Sequence, residues 1–494
     1  MNIKRAKEEI KNSIDAYLSK NEYGEYRIPV NQQRPLLLIG PPGIGKTQIM
    51  EQIAREKKIG LVSYTITHHT RQSAIGLPFI REKQFGGQTY SVTEYTMSEI
   101  IASVYEKIEE TGIKEGILFI DEINCVSETL APAMLQFLQC KMFGNRKIPE
   151  GWIIAAAGNP PEYNKSVREF DVATLDRIKK IEVEADFSVW KEYAYEAGIH
   201  SAILSYLELK KDNFYKVETT VDGRLFATAR GWEDLSRLLE TYESLGKTMD
   251  REVVVQYIQH WKVAKDFANY LELYNKYKKD YQVQEILQGH IGESALDRVR
   301  RASFDEKLSV TSLLLSALHE RFQKAWHVDA IVTGLFEEVK KYGEIDLTEI
   351  IRRYTGLLEK LRRAEQLTKD EEHIRLEILQ KLEQYELEAK AEQVTAEKML
   401  SWLKERFAKE VAAMEEGMRQ TDTALNYVFD FMEKAFGDSQ EMVVFITELN
   451  TDYYAVWFID MNGCDRFYQY NKSLLFSERQ QGIMQELQQI EEML

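Results

Sequence analysis

Eight consecutive residues, Gly40-Pro41-Pro42-Gly43-Ile44-Gly45-Lys46-Thr47, fit the spacing G-x-x-x-x-G-K-[ST]. The glycines allow the backbone to wrap its N–H groups around a phosphate, and a helix starting at the end of the run adds its dipole. Lys46 is placed to reach β- and γ-phosphates, and the Thr47 hydroxyl to ligate Mg²⁺. Such a cradle binds but does not hydrolyse. Hydrolysis needs a carboxylate near the metal and a base for the attacking water. The run Ile117-Leu118-Phe119-Ile120-Asp121-Glu122 offers both, four apolar residues followed by two acids. Asp121 is expected to hold Mg²⁺ through water, and Glu122 to polarise the nucleophilic water. A third run, Ala155-Ala156-Ala157-Gly158-Asn159-Pro160-Pro161, ends in a neutral amide that could bind the γ-phosphate and the lytic water together.

These residues need a scaffold that presents strand ends side by side. Short apolar runs at 36–39, 61–64, 117–120 and 152–155 alternate with stretches of helical periodicity, and a further strand is expected at 180–183. That alternation predicts a parallel sheet flanked by helices, whose ligands sit at the strands' C-terminal ends. All nine prolines lie at or before Pro161, so the remaining two-thirds is expected to be mostly helical. Residues 188 to about 290 suggest modest helices broken at Gly198, Gly223 and Gly246. Farther on, Ile378, Leu382 and Tyr385 share one face, and Leu403, Phe407, Val411 and Met414 share another, as in a packed helical hairpin. The runs Met442–Ile446 and Tyr454–Ile459, separated by Asn450-Thr451-Asp452, predict a small β-hairpin.

Composition narrows the function classes. The 494 residues are 44% hydrophobic and 29% charged, which describes a folded chain of more than one domain. The net charge of −16 disfavours a phosphate backbone as partner, so nucleic acid is not expected unless a local basic groove exists. Lys141, Arg146 and Lys147 make one candidate basic hairpin. The sequence shows no long apolar span and no apolar signal core after Met1, so no membrane insertion and a cytoplasmic location are expected. Cys125, Cys140 and Cys464 are too few and too widely spaced for a disulfide framework or a zinc site; Cys125 and Cys140 suggest small core residues. His68-His69 is a poor metal pair, because neighbouring strand residues point to opposite faces. The Asn-Lys pairs at 164, 275 and 471 do not continue as Asn-Lys-x-Asp, the guanine-reading pattern, which favours adenine.

In their order these motifs resemble the AAA+ ATPases, and within them the MoxR-like group related to the magnesium-chelatase ATPase subunit. The resemblance spans roughly residues 30–245 and rests on the 40–47 run and on Phe119-Ile120-Asp121-Glu122-Ile123-Asn124. It implies an α/β P-loop core with a five-stranded parallel sheet, a helical lid, ATP and Mg²⁺ as cofactors, and a homo-oligomeric ring, most simply a hexamer. Asn159 stands at the first sensor. Arg177, in Leu175-Asp176-Arg177, stands at the arginine finger offered to a neighbouring subunit, with Arg168 as competitor. Arg230 stands at the second sensor, although Thr228-Ala229 replaces the proline common before that arginine. The physics asks for such cations independently, since the charge on a transferring phosphoryl group exceeds what one lysine can balance. The segment Ala74–Val92 and a hairpin at 139–148 fit the group's insertions. The expected domains are a lead-in helix at 1–30, the nucleotide-binding domain at 31–187, the lid at 188–290, a helical domain at 291–437 and a terminal hairpin-and-helix segment at 438–494. The resemblance implies a chaperone-like remodelling or assembly factor, acting on a client or a von Willebrand A-domain protein. The alternative is the nucleotidase or motor subunit of a nucleic-acid-processing or restriction system.

Overall fold

Continuous apolar runs become buried strands when helices cover both faces of a sheet, and this chain follows that rule in its first third. The structure is a computed structural model that describes residues 1–474, apart from 69, 144–145, 164–166, 168–169 and 222. Two units are distinguished: residues 1–189 with 356–369, and residues 190–355 with those from Asp370 onward.

Among the described residues the first unit contains nine strands: β1 (Leu36–Ile39), β2 (Gly60–Thr65), β3 (Pro78–Phe85), β4 (Gln88–Tyr95), β5 (Gly116–Asp121), β6 (Met142–Phe143), β7 (Arg146–Lys147), β8 (Trp152–Gly158) and β9 (Lys179–Glu182). Five form one parallel sheet in the order β2-β5-β8-β1-β9. Every residue of β8 is buried, as is all of β5 except Asp121. Helix Lys46–Lys57 follows β1 and buries Ile49, Met50 and Ile53. Helices Glu99–Thr111 and Ala131–Cys140 bring Ile100, Ile101, Val104, Met134, Phe137 and Leu138 into one apolar cluster with Leu118, Ile120 and Ile154. Parallel neighbours require such crossovers, and the crossovers leave the strands' C-terminal ends along one edge.

Two antiparallel hairpins interrupt this pattern. β3 and β4 pair over eight residues each around Gly86-Gly87, overlapping the expected insertion at 74–92 and running three residues past its end. β6 and β7 pair over two residues each before β8. The reading of that second hairpin as basic is corrected in part. Lys141 is only 7% exposed and donates to the Val30 carbonyl at 2.7 Å. Burial pushes its ammonium down to about 8. Arg146 and Lys147 remain exposed. Cys140 is also exposed rather than a core residue, and Cys125 is half-buried.

Among the described residues the second unit is helical, with one small antiparallel pair, β10 (Lys216–Thr220) and β11 (Gly223–Ala227). Gly223, read from sequence as a break between helices, begins β11. Tyr206, Trp232 and Phe267 pack their rings together at centroid distances of 5.2–5.8 Å. Helices Phe304–Val339, Lys369–Ala391 and Ala396–Ala435 are long. Ile378, Leu382, Tyr385 and Leu403 share one core with Ile331, Leu335 and Tyr354.

The predicted terminal β-hairpin is wrong. Met442–Ile446 lies in helix Gln440–Thr451 and Tyr454–Ile459 in helix Tyr453–Asn462. The first helix buries Met442, Phe445, Ile446 and Leu449, a spacing of three, four and seven. Asp452, read as a hairpin turn, caps the second helix instead, accepting from the Tyr454 and Ala455 amides at 2.9 and 3.4 Å. Packing on a helical face overrides the strand preference of valine, isoleucine and aromatic residues.

Candidate functional site

At the end of β1 the chain leaves the sheet into the loop 40–45. Gly40 still donates to the Gly158 carbonyl at 3.3 Å, which holds the loop against the tip of β8. A Cβ at Gly40 would stand 2.6 Å from the Val183 carbonyl, so glycine is the residue that fits. Gly45 takes φ of +90° and caps helix Lys46–Lys57. With no side chain there to cap them, the N–H groups of the first turn are presented to an anion.

Lys46 is 8% exposed. Its Nζ donates to the carbonyls of Gly40 (2.8 Å) and Pro41 (2.7 Å) and to Asn159 Oδ1 (2.9 Å). Thr47 Oγ1 donates to Asp121 Oδ2 at 2.8 Å. A hydroxyl and a carboxylate oxygen therefore already face each other, the hard-oxygen donor set that suits Mg²⁺. Among the described residues no group of three or more His, Cys, Asp and Glu side chains is placed to hold a metal. A magnesium ion takes one or two protein oxygens and completes its shell with phosphates and water.

Glu122 follows directly and has φ of +57°, an uncommon conformation for a residue with a side chain. Its amide donates to Asp121 Oδ1 at 2.9 Å, and its Oε2 accepts from Thr67 Oγ1 at 2.9 Å. The two adjacent acids are thus turned to different partners, one toward the helix start and one toward the end of β2. The sheet order explains the convergence. β8 lies between β5 and β1, so Asn159 stands between the acids and the lysine loop.

Six of the predicted positions (Gly40, Pro41, Lys46, Thr47, Asp121 and Asn159) take part in these contacts, and Glu122 joins them through the Asp121 peptide. Arg177 is not brought to them. It is exposed after the short helix Val172–Leu175, and its guanidinium donates to Gln139 Oε1 at 2.7 Å. Arg168, its competitor, lies outside the described residues, as does His69. Arg230 belongs to the second unit, where it is exposed in the first turn of helix Ala229–Ser244. Thr228 begins that helix without a proline, its Oγ1 accepting from the Gly231 amide at 3.2 Å.

Two residues here carried no role in the sequence reading. Thr67 holds the Glu122 carboxylate, and Asn124 Nδ2 donates to the Asn159 main-chain oxygen at 2.8 Å. Asn124 was visible as the last residue of the 119–124 run. Thr67 had only its polarity beyond a strand to mark it.

Comparison with protein families agrees with this geometry. The model of the ATPase family associated with various cellular activities (AAA) matches residues 36–178. That stretch begins at the first residue of β1 and takes in the loop, the acid pair and Asn159. The chain therefore carries an α/β AAA+ fold followed by a large helical region, and the match supports an ATPase of the AAA+ class. A search among curated proteins returned no match to the chain.

Proposed function

We propose that this protein is a Mg²⁺-dependent, ATP-hydrolysing AAA+ ring protein of MoxR-like type, most simply a hexamer with active sites at subunit interfaces. The observation that carries the proposal is the meeting of Lys46, Thr47, Asp121, Glu122 and Asn159 along one sheet edge. In this reading the amides of 40–47 and Lys46 bind the phosphates. Thr47 and Asp121 hold the metal, which when bound neutralises phosphate charge. Glu122 takes the proton of the attacking water, and Asn159 orients that water against the γ-phosphate. Arg177 serves the neighbouring subunit's nucleotide, and Arg230 is the lid arginine. Residues 188–290 act as the lid, and the helices beyond 290 act as an adaptor to a client or von Willebrand A-domain partner, which the ring remodels or assembles in the cytoplasm. Among the described residues no helix is long and apolar enough to cross a membrane. The nucleic-acid alternative loses support because Lys141, one of the three cations it needs, is buried.

The test separates binding from turnover. Lys46→Ala should abolish ATP binding, measured by calorimetry, because the β/γ charge loses its cation. Glu122→Gln should bind ATP normally and turn over at least about 100-fold slower, since only water activation is lost. Hydrolysis by the Gln variant at the wild-type rate would show that Glu122 is not the base. The same variant, loaded with ATP, is the form in which clients should co-purify.

A further inference from the structure

Between the ends of β5 and β8 a side chain stands in for backbone pairing. The last paired residues of the two strands are Ile120 and Ala156. At Glu122 the chain turns out of the ladder, while β8 runs on to Gly158. The Asn159 carbonyl is therefore past the point where β5 can supply an amide. Asn124 supplies one from its side chain, Nδ2 to Asn159 O at 2.8 Å. Its Oδ1 faces the Cys125 thiol at 4.0 Å and lies against Gly158, where an added Cβ would fall 2.5 Å from it. Asn124 is 5% exposed, so this amide has little water to fall back on. The residue it holds by the main chain, Asn159, is the one whose side chain accepts from Lys46 at 2.9 Å.

We infer that Asn124 is a positioning residue that clamps the tip of β8, so that the Asn159 amide keeps its place beside Lys46. It acts through Asn159 and touches neither the phosphate loop nor the two acids by hydrogen bond. The inference rests on the ATPase reading above and deepens it, by tying the strand that carries the acids to the strand that carries the sensing amide. Misplacing a catalytic group by about 1 Å costs on the order of 100-fold in rate, so the clamp should show in turnover more than in binding.

A double-mutant cycle tests it. Asn124→Ala and Asn159→Ala should each lower kcat by roughly 10- to 100-fold while ATP affinity changes less than about threefold. The double variant should be no slower than the slower single variant, because both changes remove one function. Losses that multiply would overturn the inference. Asn124→Asp keeps the shape and removes the donor, so it should behave like the Ala variant even where the cavity left by Ala harms folding; wild-type kinetics in the Asp variant would also overturn it. Hydrogen exchange gives a readout that does not depend on hydrolysis. In Asn124→Ala, amides of residues 152–159 should exchange faster while those of 36–39 do not. Unchanged protection at 152–159 would overturn the clamp. A wild-type protein that hydrolyses no nucleoside triphosphate would instead overturn the ATPase reading, and the exchange result would still decide the clamp.

Discussion

Both units bury charge, but they do so in opposite ways. In the first, Lys46 is held by two loop carbonyls and a neutral amide, with no carboxylate among these acceptors. In the second, Lys191 meets Glu208 at 2.7 Å and also Glu448, whose other oxygen accepts from the Tyr195 hydroxyl. His319 likewise meets Asp452 at 2.8 Å. Those charges answer one another, and through them segments more than 100 residues apart are tied together. The two networks differ in the partners named here, neutral oxygens around Lys46 and carboxylates around Lys191, and burial alone does not distinguish them.

The largest expected effect contrasts two exposed arginines, one in each unit. If Arg177 serves the neighbouring subunit, Arg177→Ala should keep nearly normal ATP affinity and lose turnover by a factor on the order of 10³ or more. If Arg230 is the lid arginine proposed above, Arg230→Ala should weaken binding and turnover together. Mixing Lys46→Ala subunits, which retain the finger, with Arg177→Ala subunits, which retain the pocket, should restore part of the activity. Mixed rings that stay inactive while mass measurements confirm subunit exchange would move the finger to Arg168.

The second prediction concerns stability. Lys191→Met leaves the Glu448 carboxylate buried without its cation, which should cost about 3–5 kcal/mol. Lys191→Met combined with Glu448→Leu should recover much of that loss, because an apolar pair can replace a buried ion pair. Denaturant titration of both variants measures this. A single variant as stable as wild type would mean that Glu208 and Glu448 are already balanced without Lys191.

The same contrast explains what could be read from sequence. The loop 40–47 and the pair Asp121-Glu122 were legible because their chemistry lies in consecutive residues. The centre of the sheet was legible because strands buried on both faces, β1, β5 and β8, are plain apolar runs. The helices at 440–451 and 453–462 were not, since Met442–Ile446 has strand-like composition and its helical spacing shows only when Leu449 is counted with it. Neither Thr67 nor Asn124 could be placed, because each contact joins the ends of two strands and depends on the order β2-β5-β8. Lys141 looked like one of three surface cations; its burial depends on the carbonyl of Val30, far away in the chain.

Lys141 also supplies the smallest and most specific prediction. Its ammonium is buried with a carbonyl partner, and burial lowers it from 10.5 to about 8. In the unfolded chain the group keeps the higher value, so between pH 8 and 10.5 the unfolded state binds more protons. Stability from this group therefore rises as pH increases across that window and is lowest below it, where the buried amine must carry its charge. Lys141→Met removes the cost and should raise Tm by a few degrees near neutral pH. The gain should shrink steadily as pH is raised toward 10, because the wild-type lysine is then neutral too. Melting curves of the two proteins at matched pH values read the difference directly. A gain that stayed constant from pH 7 to pH 10 would mean that Met packs better there for reasons unrelated to charge. A loss at every pH would mean that the bond to Val30 outweighs the desolvation of the ammonium.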